Sequence, residues 1–70
     1  MDWDAAVGRN LRRLRLSKGM TQEQLAGEAD IAMRHLGRIE RNESSATVTA
    51  LGRLAMALGV NPSEFFTDAK

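Results

Sequence analysis

The sequence contains no cysteine and only one histidine, His35, so two common sources of stability in short chains are missing. Without thiols it can form neither disulfide bonds nor a thiolate metal site, and one imidazole is too few ligands for a zinc centre. We therefore expect no metal and no cofactor. No apolar run approaches the roughly 20 residues needed to cross a bilayer. The opening MDWDAAVGRN is acidic and lacks an apolar segment, which argues against a signal peptide and favours the cytoplasm.

Catalytic patterns are missing as well. Acidic pairs such as Glu40 and Glu43 occur, but there is no nucleophile spaced for a base, no glycine-rich phosphate loop and no metal-ligand cluster. A chain of 70 residues has room for only a small core and for no deep pocket. The sequence therefore argues against an enzyme, and it indicates no small-molecule ligand and no membrane partner.

The composition fits one folded domain over residues 1–70, with 43% hydrophobic and 27% charged residues. The net charge is only +1, but it is unevenly distributed. Between Arg9 and Arg41 there are eight basic and four acidic residues, which gives this segment +4, while the remainder carries −3. Such asymmetry is typical of a face that binds a polyanion. Charge alone leaves open the alternative of an ordinary solvated helix face.

Apolar residues recur at helical spacing, and no segment alternates as a strand does. In the first segment Trp3, Val7, Leu11 and Leu14 form one stripe, and Gly19 follows as a left-handed cap. The pattern predicts an all-α fold of five helices. The first runs from about Trp3 to Lys18, the second from the cap Thr21 to Glu28 or Ala29, and the third from about Ala32 to Arg41. The fourth runs from the cap Thr47 to just before Gly59, and the fifth from the cap Asn61, with Pro62 at the first position, to Phe66.

The second and third predicted helices are joined by only about three residues, and such a short connection makes two helices cross steeply, as in a helix-turn-helix. Ala26 supplies the small side chain needed where these helices come closest. Asp30 can adopt the left-handed backbone of the turn, and Ile31 can fill the angle between the helices.

The third predicted helix carries its charge on one side. In DIAMRHLGRIERN, Asp30 to Asn42, the side chains of Arg34, Arg38 and Arg41 fall within roughly 60° of one another at 100° per residue. The apolar residues Ala32, Leu36 and Ile39 fall on the opposite side.

The chain resembles the XRE/Cro-type, lambda-repressor-like helix-turn-helix proteins. The resemblance covers nearly the whole chain, from VGRNLRRLRLSKGMTQEQLA through HLGRIERN to LGRLAMALGVNPSEFF. It includes the Thr-Gln opening of the second helix and the IER that closes the third. The matching inner positions are Leu25, Ala26, Ala29, Ile31, Leu36 and Ile39. The resemblance implies a five-helix lambda-repressor-like DNA-binding domain with its helix-turn-helix at about residues 21–41.

Four positions depart from the family pattern. Asp30 stands where glycine is usual in the turn, which predicts a modest cost in stability. Ala32 replaces the usual Ser or Thr cap of the third helix, so that cap is either absent or supplied by Asp30. Asn42 replaces a glycine, and Ala46 replaces a common proline, which predicts a looser loop.

The resemblance assigns the third helix to the major groove of DNA. It puts Met33, Arg34 and Arg38 at base edges, where a guanidinium can bond guanine through two hydrogen bonds. Gly37 is then expected to let the helix approach the duplex closely.

Backbone contacts are implied at the start of the second helix and the end of the third. Thr21, Gln22 and Arg41 are the predicted contacts to phosphates, although Thr21 can equally be a plain helix cap. Weaker candidates, for which an ordinary surface position is the simpler interpretation, are Arg12, Arg13, Ser44 and Ser45.

The resemblance also implies a structural ion pair, and the end of the chain offers two candidate dimer contacts. The family pairs the positions of Arg15 and Glu40 in an ion pair beneath the DNA-facing surface, so we expect that pair here. Phe65 and Phe66 are candidate dimer contacts, although at least one of them is expected to close the core.

Together these features predict a sequence-specific transcriptional regulator that binds double-stranded DNA, a repressor of bacterial or phage type. It would act in the cytoplasm and associate with the nucleoid when bound. One such domain covers few base pairs, which predicts a homodimer on a pseudo-palindromic operator. The alternative is a helical module that docks another protein, as an antitoxin does, and has only non-specific DNA affinity. The basic third helix favours DNA.

Overall fold

The computed structural model describes residues 2–68, which form four α-helices followed by one short 3₁₀ helix. No strand occurs in this part of the chain, so the predicted all-α class is confirmed. Residues 1, 69 and 70 of the predicted domain lie outside the described residues. The elements are α1 (Trp3–Ser17), α2 (Gln22–Ala29), α3 (Met33–Glu40), α4 (Val48–Leu58) and the 3₁₀ helix (Pro62–Phe66).

Side-chain caps determine where α2 and α4 begin. The Thr21 hydroxyl accepts a hydrogen bond from the Gln24 backbone N–H at 3.0 Å, and the Gln24 side chain accepts one from the Thr21 N–H at 2.9 Å. This reciprocal pair is the predicted capping box. At the start of α4 the Thr47 hydroxyl accepts a hydrogen bond from the Ala50 backbone N–H at 3.0 Å, and Gly59 ends that helix in the left-handed conformation with φ of 70°. Because these bonds are local, the sequence pattern predicts them well.

The turn between α2 and α3 has the predicted left-handed residue. Asp30 adopts φ of 57° and ψ of 48°, and the Ile31 backbone N–H returns to the Ala26 carbonyl at 3.0 Å. Ala32 is the N-cap of α3 and has no side-chain hydrogen bond, so the missing cap is not replaced by Asp30. Asn42 also takes a positive φ, of 59°, just after α3.

The prediction of a fifth α-helix is wrong, because the last element is a 3₁₀ helix of five residues. The Asn10 side chain, fully buried in α1, donates hydrogen bonds to the backbone carbonyls of Phe65 at 2.9 Å and Thr67 at 2.7 Å. These carbonyls are therefore satisfied from another helix rather than by a continuing helical turn. Asn61 caps the element through the Ser63 N–H, as its position predicts.

The core lies between the four α-helices and is closed by the 3₁₀ helix. The inner positions that carry the family resemblance are buried, apart from Ile31, which packs against the core half-buried. The buried core residues are Val7, Leu11, Leu14, Leu25, Ala26, Ala29, Leu36, Ile39, Leu54, Ala55, Leu58 and Phe65.

Gly8 marks a close approach between α1 and the last turn of α3. A Cβ atom on Gly8 would collide with the carbonyl oxygen of Ile39 and would lie 3.1 Å from that of Glu40. A methyl group therefore fits only if the backbones move apart. Glycine at this position determines how closely α1 and α3 can pack.

We predict that Gly8→Ala destabilises the protein by about 1–3 kcal/mol, because overpacking outweighs the better helix propensity of alanine. The matched control is Gly27→Ala in α2, where an added Cβ would meet nothing within 4 Å. That change should stabilise the protein by up to about 1 kcal/mol. Urea unfolding measures both free energies, and equal stabilisation by the two substitutions would contradict the close approach.

Candidate nucleic-acid interface

The exposed side of α3 carries the three residues predicted at base edges. Arg34 and Arg38 are exposed, and Met33 is 52% exposed in the first turn. On the opposite side Leu36 and Ile39 are buried in the core. The helix therefore has one apolar face that anchors it and one basic face that is open to a partner.

Arg34 and Arg38 have no acidic partner in the part of the chain that the structure describes. The ion pairs within residues 2–68 are Arg15–Glu40 and Arg41–Glu43. An unpaired guanidinium presents five N–H donors in a rigid fork that matches guanine and phosphate. This face can therefore meet an anion without first breaking an internal ion pair.

Arg41, in contrast, is engaged within the chain. Its Nε donates to Glu43 Oε2 at 3.1 Å and its Nη2 to Glu43 Oε1 at 3.2 Å. The guanidinium lies beside Gly37, where an added Cβ would come within 2.9 Å of Nη1. The exposed side chain of Arg41 thus occupies the space beside this glycine, and the expected close approach of Gly37 to a duplex stays a prediction. Glu43 was not predicted from the sequence as the partner of Arg41. The available signal was its position directly after Asn42, which has a left-handed backbone.

The exposed Arg41–Glu43 pair shifts the pKa of both partners. The hydrogen bonds and positive charge of Arg41 lower the pKa of the Glu43 carboxyl, with a smaller effect from Arg38. The same hydrogen bonds and the negative charge of Glu43 raise the pKa of Arg41. The pair is therefore ionised at neutral pH, and Glu43 offsets part of the charge that Arg41 could offer a phosphate.

Arg15 and Glu40 form a buried bidentate ion pair. Arg15 Nε lies 2.7 Å from Glu40 Oε2 and Nη2 lies 3.1 Å from Oε1, with the two side chains 9% and 2% exposed. The remaining guanidinium nitrogen donates to the Met20 carbonyl at 2.8 Å. No buried side-chain nitrogen or oxygen in the described residues lacks a hydrogen-bond partner. The pair therefore avoids the cost of a buried charge left unsatisfied.

Gln22 joins this pair to the start of α2. Its Nε2 donates to Glu40 Oε1 at 3.1 Å, and the residue is half-buried. This link was not predicted from the sequence. Thr21, one residue earlier, is exposed and caps the helix. Of the two predicted backbone contacts at the start of α2, Gln22 thus bonds the carboxylate that also holds Arg15.

The weaker candidates are partly occupied by internal bonds. The Ser45 hydroxyl donates to Asp4 Oδ2 at 2.7 Å, which ties the loop before α4 to the start of α1. Arg13 Nη2 donates to Asn10 Oδ1 at 3.2 Å. Arg12 is exposed, and Ser44 is half-buried.

The two phenylalanines predicted as dimer contacts differ in exposure. Phe65 is fully buried, so it cannot reach a partner and belongs to the core, which corrects that half of the prediction. Phe66 is 42% exposed and meets the exposed Trp3 edge-on, with ring centroids 6.0 Å apart. Only Phe66 is available at the surface.

Other kinds of site find no support between residues 2 and 68. No group of acidic and histidine side chains there could hold a metal ion. No helix there is long and apolar enough to cross a bilayer.

The Arg41–Glu43 pair gives a testable pH dependence. Because the Glu43 pKa is lower in the folded state than in the unfolded state, the pair stabilises the fold above the unfolded pKa. That stabilisation is lost as the pH falls through the folded pKa. We expect the Glu43 carboxyl to titrate in NMR below the ordinary glutamate value, and Arg41→Gln to raise its midpoint. Arg38→Gln is the control and should raise it less; an unchanged midpoint in Arg41→Gln would contradict the pairing.

Comparisons with known proteins agree with this geometry. A helix-turn-helix family model matches residues 11–65. The chain is 40% identical over 67 residues to the HTH-type transcriptional regulator y4dJ of Sinorhizobium fredii, which is uncharacterised, covering 96% of this chain and 87% of the relative. It is 36% identical over 58 residues to the control protein C.BamHI of Bacillus amyloliquefaciens, covering 81% and 72%.

A solved structure is also similar over most of its length. The restriction-modification controller protein C.AhdI of Aeromonas hydrophila superposes with a TM-score of 0.87 at 33% identity, covering 90% of this chain and 96% of that protein. The sequence matches and the fold point to regulators rather than enzymes. The chain belongs to the helix-turn-helix family of DNA-binding transcriptional regulators.

Proposed function

We propose that this protein is a sequence-specific repressor that binds double-stranded DNA with α3 in the major groove. The observation that carries the proposal is the pair of exposed guanidinium groups on α3, Arg34 and Arg38, which have no acidic partner within residues 2–68. They lie one helical turn apart on the face opposite the core, which suits them to neighbouring base pairs.

Three side chains would read the bases. Arg34 and Arg38 would each bond the O6 and N7 atoms of a guanine, a contact that discriminates by about 1–3 kcal/mol against other bases. Met33, at the start of α3, would place its apolar side chain against a thymine methyl. These roles require the N-terminal half of α3 to enter the groove first.

Phosphate contacts would hold the protein in register on the duplex. Gln22 uses one amide N–H on Glu40 and has a second N–H for a phosphate oxygen. The Thr21 hydroxyl and the backbone N–H groups in the first turn of α2 would add further donors. Arg41 would contact a phosphate from the other end of α3 by sharing or exchanging its bonds to Glu43.

The proposed active form is a homodimer on a pseudo-palindromic operator, acting in the cytoplasm and associated with the nucleoid when bound. A two-fold dimer would present two copies of α3 one helical turn of DNA apart. The exposed Phe66 and Trp3, which meet at the end of the molecule, are apolar and available to a second copy. The dimer would increase affinity by engaging both half-sites together.

Selection of bound duplexes from a random double-stranded pool tests the proposal. We expect the protein to enrich a pseudo-palindrome, and the Arg34→Ala, Arg38→Ala double variant to lose that enrichment because both guanine contacts are removed. The control is Arg53→Ala, which removes an exposed charge from α4 and one long hydrogen bond, of 3.4 Å, to the Asp30 carbonyl in the turn before α3. It should leave the enriched sequence unchanged, because Arg53 lies on α4 and not on the proposed reading face.

Two results would contradict the proposal in different ways. An enriched site that survives the double variant would leave DNA binding intact but move base recognition away from the arginines. Salt-sensitive binding with no enrichment would favour a helical module that docks another protein and has only non-specific DNA affinity.

A further inference from the structure

A groove of about 640 Å³ runs between α1 and the last turn of α3, beside the surface just described. Four arginines line it: Arg9, Arg12 and Arg13 from α1, and Arg41 from the end of α3. The groove has no assigned role in the proposed base readout. Its composition indicates an anionic occupant.

The packing of α1 against α3 builds this groove. Gly8 brings α1 against the carbonyls of Ile39 and Glu40, so the α1 side chains that follow lie next to Arg41. Ala5, Arg9, Arg12 and Leu16 line the same wall of the groove, at spacings of four, three and four residues, which places them on one face of α1. The two arginines occupy the middle of this face, and the apolar residues stand at its ends.

Three arginines of α1 supply charge that no carboxylate in the described residues compensates. The acidic residue in the lining is Glu40, whose carboxylate is paired with Arg15 and whose side chain is 2% exposed. Arg41 is bonded to Glu43. Arg9, Arg12 and Arg13 are exposed and form no ion pair within residues 2–68. Arg13 donates to the Asn10 side-chain oxygen, which leaves Arg9 and Arg12 as the better placed for a ligand.

We propose that Arg9 and Arg12 bind phosphates of the DNA backbone that flanks the base-read half-site, and so extend the protein's footprint beyond the recognition helix. This inference rests on the proposed function. Arg41, the residue proposed to meet a phosphate at the C-terminal end of α3, lines the groove together with Arg9 and Arg12. A duplex strand that contacts Arg41 would therefore also approach this face of α1.

An acidic protein segment is the competing occupant, and the position of the groove favours DNA. The groove shares Arg41 with the phosphate contacts proposed at the end of α3, so its positive charge continues that of the recognition helix. Leu16, which is 53% exposed at one end of the groove, is an apolar contact that a peptide could use, so an acidic peptide is included among the probes.

Salt-dependent binding to duplexes of two lengths tests the inference. Both duplexes carry the selected operator; one ends at its outer edge and the other extends about five base pairs further on each side, half a helical turn. With the extended duplex, the Arg9→Gln, Arg12→Gln double variant should weaken the slope of log K against log salt by about 3.6, because the homodimer loses four phosphate contacts, two from each protomer. With the short duplex, the double variant and the wild type should have the same slope.

Arg53→Gln, on α4, is the charge control, and its slope should equal that of the wild type on both duplexes. Equal slopes for the wild type and the double variant on the extended duplex would overturn the proposal. If the double variant had also lost binding to a poly-glutamate peptide, the groove would belong to an acidic protein segment. An extended duplex of scrambled sequence distinguishes the failure of one proposal from the failure of the other. Equal affinity for operator and scrambled DNA would reject base readout. A difference in salt slope between the wild type and the double variant would still support phosphate binding in the groove.

Discussion

A buried ion pair, together with the glutamine that bonds it, joins the three helices that carry the proposed DNA-binding surface. Arg15 of α1 bonds Glu40 of α3 through two hydrogen bonds, and Gln22 of α2 bonds the same carboxylate. Arg15 also holds the carbonyl of Met20, just before α2. Charges this far from water are costly unless every donor and acceptor is satisfied, and here each has a partner. The angle between α2 and α3 therefore depends on these side-chain bonds, which form only when α1, α2 and α3 are packed together.

The pair also determines the charge that the surface presents. Arg15 offsets the charge of Glu40 beneath the surface that carries Arg34 and Arg38, although the carboxylate still contributes to the raised pKa of Arg41. Glu43, at the edge of the surface, instead pairs with Arg41 where both side chains are exposed to solvent. Glu40 thus supports the proposed site from beneath, while Glu43, which follows α3, offsets the charge of Arg41 and interacts more weakly with Arg38.

Local sequence signals predicted the helices well and long-range contacts poorly. The capping box at Thr21, the left-handed Asp30 and the cap at Gly59 each involve neighbours within a few residues, so composition and spacing identify them. The fifth helix was predicted wrongly because its carbonyls are bound by Asn10, 55 residues away from Phe65. The contact of Arg41 with Gly37 was not predicted for a similar reason, since it depends on the side-chain conformation of Arg41. The Arg15–Glu40 contact was expected only through the family resemblance.

A double-mutant cycle on Arg15 and Glu40 tests the central claim most directly. The free energy of unfolding in urea would be measured for the wild type, Arg15→Met, Glu40→Gln and the double variant. Each single change should cost about 3–5 kcal/mol, because it leaves a buried charge without its partner. The double variant should cost clearly less than the sum of the two, by an interaction energy of about 1–3 kcal/mol. Additive losses would contradict the account, since they would mean that the two side chains stabilise the helices independently.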